Sequence, residues 1–244
     1  MNKKSSTIAC IILASGVGRR FGANKLLTAI DGAPMLQHIL DISQGLFAKR
    51  IVVTRHKEVA EICAQQQIPC LLHDKPYLSD TVRLGTAYIK QQLPQIEGLL
   101  FAVADQPLLQ QASLIRLAES FLAQPQKIHR LYYEETPGNP IIFPAKFADE
   151  LQQLPQDKGG SVLTKKYPEL VVKVPVQDIN ELLDIDTQQD KKLSLSVFAP
   201  IQNNIQQNCY KGCRNDTGFT EHHAHSLRAV CQDAGCSAHA VANA

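Results

Sequence analysis

The hydrophobic pattern alternates short apolar runs with longer amphipathic stretches. Four runs have the length of buried strands, at 8–13, 51–54, 69–72 and 98–104. Between the first two runs, Met35, Leu36, Ile39 and Leu40 recur at helical spacing after Pro34, which suits a first helical turn. This alternation predicts a mostly parallel sheet with helices on both faces.

The rest of the pattern predicts further elements of both kinds. We expect helices over 58–66, from Ser79 or Asp80 to about Gln92, over 114–122, from about 145 and over 162–166. We expect strands over 128–133, 141–143 and 170–174, a turn at 137–140, and a short strand over 182–187 that leads into a capped helical turn.

A loop of small residues follows the first strand. Ala14-Ser15-Gly16-Val17-Gly18, the glycine loop, lets backbone N–H groups approach a ligand closely, because glycine has no Cβ. Arg19, Arg20 and Lys25 follow within a few residues. Fixed cations beside such a loop favour binding of a triphosphate. The alternative for these side chains is an ordinary solvated surface.

Two common phosphate-binding loops do not match this stretch. A Walker loop needs Gly-Lys-Ser/Thr, whereas Lys25 follows Asn24 and precedes Leu26. A dinucleotide fingerprint needs a third glycine three residues after the second, whereas Gly22 lies four after Gly18. The loop therefore predicts a phosphate site of a different kind.

Carboxylates follow two other apolar segments. Asp105 ends the run at 98–104, so it is expected at the same sheet edge as the glycine loop. Asp184 and Asp186 alternate along the expected strand over 182–187, which would turn both to one side. Mg²⁺ prefers one or two carboxylates plus phosphate oxygens, so we predict that Asp105 and Asp186 hold Mg²⁺. The alternative is that Asp105 caps a turn, and that Asp186 or Thr187 caps a helix toward Asp190.

Composition excludes several classes of partner. The net charge is +2, aromatic residues make up 6%, and there is no Trp, so neither a broad basic surface nor base-stacking platforms for nucleic acid are expected. No stretch approaches the roughly 18 apolar residues of a membrane span, and the apolar run at 8–13 is too short for a signal peptide. We expect a cytoplasmic protein with reduced cysteines and without a membrane partner.

Five separate motifs, in order along the chain, resemble one family. L-A-S-G-V-G-R-R-F-G-A-N-K is similar to the signature of the nucleotidyltransferases of the molybdenum cofactor group. V-A-D-Q-P-L, P-G-N-P-I-I-F-P, D-K-G-G-S-V-L and D-I-D-T-Q-Q-D resemble later segments of the same family, over residues 8–192. Within that family the chain resembles the molybdenum cofactor cytidylyltransferases, which transfer CMP from CTP to molybdopterin and release pyrophosphate.

The resemblance implies a fold and a set of roles. It implies a three-layer α/β/α, Rossmann-like nucleotidyltransferase fold, Mg²⁺ as cofactor, and a molybdenum hydroxylase as partner enzyme. Catalytic roles fall on Arg19, Lys25 and Asp105, and acceptor binding on Gly138, Asn139 and Pro140. Nucleotide contacts fall on Leu13, Ala14, Ser15, Gly16, Gly18, Arg19, Lys25, Asp80, Thr81 and Asp105.

Several alternatives stay open. Ser15 stands between the L-A-A-G associated with CTP and the L-A-G-G associated with GTP, so the base is undecided. The acceptor could instead be a sugar phosphate or alditol phosphate. A chaperone that binds nucleotide or cofactor without turnover is a further alternative.

The chain is expected to have one domain over 1–192 and an extension over 193–244. The extension begins with a Gln/Asn-rich run and ends with four cysteines and four histidines. The spacings Cys209–Cys213 and Cys231–Cys236 differ from the C-x-x-C of common zinc knuckles, so we expect a poorly ordered extension rather than a metal site.

Overall fold

A seven-stranded sheet forms the centre of the molecule. The computed structural model describes residues 7–16, 24–187 and 189–190. The strands, in chain order, are β1 Ile8–Ala14, β2 Ala29–Ile30, β3 Ala33–Pro34, β4 Lys49–Thr54, β5 Cys70–Leu72, β6 Gly98–Val103, β7 Ile128–Tyr133, β8 Thr136–Pro144 and β9 Val171–Pro175. The sheet has the order β5-β4-β1-β6-β8-β7-β9, and β2 and β3 form a separate pair.

Six of the seven strands run in the same direction. Strands β5, β4, β1 and β6 are neighbours in parallel, β8 is antiparallel to both β6 and β7, and β9 is parallel to β7. The prediction of a mostly parallel sheet is therefore confirmed. This arrangement places the carboxyl ends of β5, β4, β1 and β6 at one edge.

Helices cover both faces of the sheet. They are α1 Met35–Ile42, α2 Lys57–Gln65, α3 Leu78–Gln92, α4 Gln111–Ala123, α5 Ala148–Gln152 and α6 Ser161–Lys166. Gly85 of α3 packs closely on Ile11 and Val53, and Phe121 of α4 packs on Gly98 and Ile142. Because Phe143, next to Ile142, belongs to the buried cluster that includes Ile11, these helices lie on opposite faces. The three-layer arrangement is thus confirmed. Among the described residues, no helix combines the length and apolar character needed to cross a bilayer.

The prediction of a turn at 137–140 is wrong. These residues lie within β8, which pairs with β6 from Gly98 to Phe101 and with β7 on its other side. The glycine and prolines resembled a turn signal. Pairing of Pro137 with β7, pairing of the following residues 141–144 with β6, and burial of 138 and 140–144 override that local preference. The register with β7 shifts between Arg130 and Tyr132, and such irregularities accommodate prolines, which lack an N–H for the ladder.

Two smaller predictions are also corrected. The segment 183–186 has no regular structure and follows a 3-10 turn, Ile179–Leu182, so it is not a strand. Helix α3 begins at Leu78, and neither Ser79 nor Asp80 is its N-cap. Asp80 instead lies in the first turn and accepts a hydrogen bond from the N–H of Tyr77 (3.3 Å). The carboxylate still accepts a hydrogen bond from a backbone N–H at the start of the helix, although Asp80 itself lies within the helix.

Candidate functional site

The ends of β1 and β6 bring the glycine loop and Asp105 to the same place. The two strands pair in parallel up to Leu13 and Val103, and the N–H of Ala104 donates to Leu13 O (3.1 Å). The chain then leaves both strands at one edge, with Ser15–Gly16 on one side and Asp105 on the other. Residues about ninety positions apart in sequence thus share an edge.

Lys25 lies between two carboxylates at this edge. It begins the 3-10 turn Lys25–Leu27, which Asn24 caps by accepting from Leu26 N (3.3 Å). Its Nζ donates to Asp105 Oδ2 at 2.8 Å and to Asp186 Oδ1 at 2.6 Å. A Cβ placed on Gly16 would lie 3.8 Å from Lys25 Cε, so the glycine loop adjoins this ion-paired group. Four of the predicted site residues are therefore gathered in one cluster.

The exposure of the three charged groups differs. The Lys25 side chain is 4% exposed, that of Asp105 is 22% exposed and that of Asp186 is 58% exposed. Burial alone lowers the pKa of Lys25, but the charges and hydrogen bonds of Asp105 and Asp186 outweigh burial and leave that pKa above its ordinary value. The ammonium is fully charged at neutral pH, and both carboxylates still reach solvent. The cluster thus presents acidic oxygens held around a fixed cation.

Asp186 is positioned by the backbone on both sides of it. Ile185 N donates to Asp105 O (2.9 Å), which joins this segment to the end of β6. Thr187 N donates to Asp190 Oδ2 (2.7 Å), and Asp190 N donates to Thr187 Oγ1 (3.2 Å). Of the two caps that the sequence left open, Thr187 takes this role. The Asp186 carboxylate therefore stays directed to Lys25.

Asp184 is a third carboxylate near the cluster. Its Oδ1 accepts from Gln106 Nε2 at 2.9 Å, and the same nitrogen donates to Leu182 O (3.1 Å). Although Asp184 as a residue is exposed, its carboxyl group is partly desolvated. This desolvation, followed by the negative charge of Asp105, raises the pKa of Asp184 to about 6. At neutral pH it adds negative charge to the region around Lys25.

The carboxylates of the cluster suit a divalent cation whose remaining ligands come from a bound substrate. In the described part of the chain, no three His, Cys, Asp or Glu side chains are grouped so that they could hold a metal ion. Asp105 and Asp186 converge on Lys25 with solvent-accessible oxygens, which is a suitable donor set for Mg²⁺ when phosphate oxygens supply the remaining ligands. A metal cage made by the protein alone is not formed by these residues.

The other side of the glycine loop makes polar contacts with the end of β4 and with a residue that follows β5. Thr54 Oγ1 donates to Ala14 O (2.8 Å), and Ser15 Oγ donates to Val53 O (3.3 Å). Ser15 Oγ also lies 3.1 Å from His73 Nε2. These contacts hold Ala14 and Ser15 from the side opposite Lys25.

The predicted residues Thr81 and Asp80 have different surroundings. Thr81 is buried, with its Oγ1 3.3 Å from His73 Nε2, so it joins the Ser15 side of the loop. Asp80 pairs with Arg83 (3.2 Å) at the start of α3. The nucleotide role of Asp80 stays a prediction, and its observed bonds serve the helix.

The predicted acceptor residues lie in β8. Gly138 and Pro140 are buried, and Asn139 is half-buried. Gly138 packs directly against the Leu182 side chain, and its carbonyl accepts from Arg130 Nε (2.7 Å). Since Leu182 O also accepts from Gln106, this part of β8 is linked through one residue to the neighbour of Asp105. Acceptor binding by these residues stays a prediction.

Some predicted residues fall outside the described part, and some functional candidates were missed. Gly18 and Arg19 lie outside the described residues, as does the extension over 193–244. Sequence reasoning overlooked His56 and His73, which contact Gly16 and Ser15 respectively. Their signal was available, because each follows the end of a parallel strand.

Comparison with known proteins adds family information. The family model of the MobA-like NTP transferase domain matches residues 10–171. A probable molybdenum cofactor guanylyltransferase of Aquifex aeolicus is 22% identical over 202 residues, which cover 79% of this chain and 92% of that protein. The bifunctional protein GlmU of Paramagnetospirillum magneticum is 32% identical over 120 residues, which are 46% of this chain but only 25% of GlmU. The chain thus spans about a quarter of the length of GlmU.

Solved structures support the fold. Rv0371c from Mycobacterium tuberculosis is 24% identical, with a TM-score of 0.69 over 78% of this chain and 98% of that one. The same protein in complex with manganese has a TM-score of 0.62 at 22% identity, over 78% and 98% of the two chains. A CMP:2-keto-3-deoxy-manno-octonic acid synthetase complexed with CTP has a TM-score of 0.62 at 13% identity, over 79% and 98%.

These likenesses agree with the mostly parallel sheet described above. The match over residues 10–171 covers more than half of the chain and includes the end of β1, Lys25 and Asp105. The chain belongs to the family of MobA-like NTP transferase domains.

Proposed function

We propose that this protein is a Mg²⁺-dependent nucleotidyltransferase that transfers CMP from CTP to a molybdopterin-type acceptor and releases pyrophosphate. The observation that carries the proposal is the position of Lys25, held between Asp105 and Asp186 beside Gly16. A triphosphate needs close backbone approach, a fixed cation and carboxylates for a divalent ion, and this edge of the sheet offers all three.

The reaction exchanges one phosphoanhydride linkage for another. A phosphate oxygen of the acceptor attacks the α-phosphorus of CTP in line, and the bond between that phosphorus and the bridging oxygen to the β-phosphate breaks. That electron pair leaves with pyrophosphate. Because the attacking oxygen is already anionic, the proposal needs no side-chain general base.

Lys25 serves the leaving group in this proposal. Two of the three ammonium protons point to Asp105 and Asp186, and one remains for a phosphate oxygen. A preorganised donor of this kind stabilises the charge that develops during transfer. Arg19, which lies outside the described residues, is proposed to share this role.

Asp105 and Asp186 are the residues that would hold Mg²⁺. The ion supplies positive charge that neutralises the phosphate oxygens during transfer. The Rv0371c complex with manganese supports a divalent ion in a protein of this fold, without deciding between metals. The choice of Mg²⁺ rests on the hard oxygen donors of the two carboxylates.

Two nucleotides are candidates for the donor substrate, CTP and GTP. The proposal of CTP follows from the resemblance to the cytidylyltransferase branch, and the synthetase complexed with CTP supplies a relative in fold. GTP is the second candidate, because the Aquifex aeolicus relative, described as a guanylyltransferase, matches over 92% of its length. A molybdenum hydroxylase is proposed as the recipient of the product.

Pyrophosphate release tests the proposal. The full chain is assayed with Mg²⁺ and CTP or GTP, with molybdopterin, with a sugar phosphate or alditol phosphate, or without acceptor. We expect release that needs CTP, Mg²⁺ and molybdopterin together. Preference for GTP would overturn the assignment of CTP as the nucleotide. Turnover only with a sugar phosphate or alditol phosphate would overturn the assignment of molybdopterin as the acceptor.

Nucleotide binding without turnover favours a different class of protein. A cofactor chaperone would bind CTP, release no pyrophosphate with any acceptor, and still support a molybdenum hydroxylase after Asp105→Ala. The same variant should abolish support if the protein is a transferase. These outcomes separate the enzyme from the carrier.

A further inference from the structure

Three side chains that end or follow β4 and β5 hold the described part of the glycine loop. Thr54 donates to Ala14 O, and His56 Nε2 lies 3.0 Å from Gly16 O, where the nitrogen must donate because a carbonyl only accepts. His73 reaches the residue between them through Ser15. Every residue of 14–16 is therefore tied to a side chain that follows or ends a neighbouring strand.

The hydrogen bonds of His73 define its tautomer. The backbone N–H of Lys75 donates to His73 Nδ1 (3.2 Å), so Nδ1 carries no proton. A neutral ring then carries its proton on Nε2, which faces Ser15 Oγ at 3.1 Å and Thr81 Oγ1 at 3.3 Å. The hydroxyl of Ser15 in turn donates to Val53 O. In this chain of hydrogen bonds each group donates to the next, from Lys75 N in the loop after β5, through His73 and Ser15, to Val53 O near the end of β4.

The charged groups around His73 disfavour a second proton. Burial lowers the pKa of His73, and the positive charges of Arg55 and Lys75 act in the same direction. Asp74 and Asp80 act against them, and the net pKa remains below its ordinary value of 6.5. A proton on Nδ1 would also face the N–H of Lys75. The ring is therefore neutral at pH 7, and the directional bonds require that state.

We propose that His73 is a positioning residue that holds Ser15 and so keeps residues 14–16 of the glycine loop in the conformation that binds the triphosphate. His73 acts through Ser15, and the reacting atoms are left to Lys25 and the acidic pair Asp105 and Asp186. The inference rests on the proposed function, because a held loop matters only if that loop binds a nucleotide. Its expected signature is a change in KM for the nucleotide with kcat retained.

Matched variants at position 73 test the inference. His73→Gln keeps an Nε2–H donor near the same place but cannot titrate, whereas His73→Ala removes the donor. We expect His73→Ala to raise KM for the Mg²⁺-nucleotide complex up to roughly tenfold, the factor that corresponds to one lost hydrogen bond, with kcat nearly unchanged. His73→Gln should restore KM to within about twofold to threefold of the natural protein.

The pH dependence distinguishes positioning from simple packing. In the natural protein KM should rise as pH falls below 6.5, since protonation of His73 breaks the bond from Lys75 N. His73→Gln should remove this rise. His129→Gln is the matched control, because His129 also has a lowered pKa but bonds to Ser120 and Gln124, so its replacement should leave the rise in KM intact.

Ser15→Ala provides a second route if His73→Ala folds poorly. Ser15→Ala should raise KM by a similar factor, and adding His73→Ala to it should have little further effect, because both changes remove one linkage. Fully additive effects would overturn the role through Ser15. A fall in kcat at saturating nucleotide would overturn the positioning role, as would KM unchanged in His73→Ala.

Nitrogen NMR of the imidazole separates this inference from the proposed function. We expect His73 to be neutral with its proton on Nε2 at pH 7, without any nucleotide present. Proton occupancy on Nδ1 would overturn the inference even if the enzyme turns over CTP. If the tautomer is as expected but calorimetry detects no CTP or GTP binding, the proposed function fails and the loop-holding role fails with it.

Discussion

The two halves of the sheet use buried polar side chains in different ways. At the carboxyl ends of the parallel strands, Lys25 is buried, but one of its partners, Asp186, is 58% exposed. In the half formed by β8, β7 and β9, His129 is fully buried and both of its ring nitrogens have partners, Ser120 Oγ at 2.8 Å and Gln124 O at 3.0 Å. The first group faces solvent through its partners, and the second is closed within the fold.

Glu181 follows the pattern of His129. It is 5% exposed, accepts from Gln110 N at 3.2 Å, and accepts from the Ser113 hydroxyl at the start of α4. These bonds satisfy a helix start and need no ligand. The difference lies in exposure: the bonds of Glu181 are made within the fold, whereas Lys25 is paired with two carboxylates whose side chains are 22% and 58% exposed.

Removing one carboxylate of the cluster should have the largest effect. We expect Asp105→Asn to lower kcat/KM by roughly 100-fold to 1,000-fold, because the cation site and the partner of Lys25 are lost together. Pyrophosphate release measures this. The matched control is Asp149→Asn, which breaks an exposed pair with Lys90 and should leave kcat/KM unchanged. Equal activity in both variants would contradict the importance of the acidic pair.

In the other half of the sheet, a single methyl group should damage stability. A Cβ on Gly138 would lie 2.7 Å from Leu182 Cδ1 and 2.8 Å from its Cγ. We expect Gly138→Ala to lower the free energy of unfolding by about 1–3 kcal/mol, as overpacking usually does. Urea denaturation measures this.

A second substitution at the contact partner checks the cause. Leu182→Ala in the Gly138→Ala background should recover part of the loss, because it removes the overlapping atoms. If the double variant is less stable by the full sum of the two single losses, overpacking is not the cause.

Gly16→Ala should give the opposite result from Gly138→Ala. The new Cβ would meet only Lys25 Cε, at an ordinary 3.8 Å, so we expect the free energy of unfolding to change by less than about 0.5 kcal/mol. Nucleotide affinity should fall by roughly tenfold, because the backbone can no longer approach the phosphates closely. Calorimetric titration of CTP and GTP measures the affinity. Unchanged affinity would contradict triphosphate binding at the glycine loop.

The contrast also explains how much could be predicted from sequence. The apolar run of β1, the small residues after it and Asp105 after β6 carry local signals, and parallel strands must share an edge, so their meeting was predictable. The choice between Asp186 and Thr187 as the helix cap was left open, because both side chains can accept from backbone N–H groups. The bonds of Thr187 with Asp190 decide it.

The incorrect predictions come from tertiary pairing. Residues 137–140 resemble a turn until β7 is placed beside Pro137 and β6 beside the residues that follow, 141–144. His73 was overlooked because its role depends on Ser15, 58 residues away, and on the N–H of Lys75. Its position after β5 was visible, but its partners come from a different strand. The cytoplasmic location and the character of 193–244 stay predictions.

The smallest expected effect concerns the pH dependence of stability. Burial lowers the pKa of His129 below its ordinary 6.5, so between these values the unfolded chain binds more protons than the folded one. Stability should therefore fall as pH drops below 6.5, with a slope of at most about 1.4 kcal/mol per pH unit from this residue. His129→Gln keeps a donor for Gln124 O but cannot titrate, so it should reduce the slope.

Urea denaturation of the natural protein and His129→Gln at pH values from about 7.5 to 5.5 measures this difference in slope. His73 has a lowered pKa too, so its contribution to the slope should remain in His129→Gln. That contribution should disappear when His73→Gln is added to His129→Gln. The raised pKa of Asp184 acts with the opposite sign, because its folded form binds the extra proton, but it is common to all variants and cancels in the difference. Only His73→Gln should also alter the pH dependence of KM. If His129→Gln changes KM as well, the division between a closed structural histidine and a site histidine is wrong.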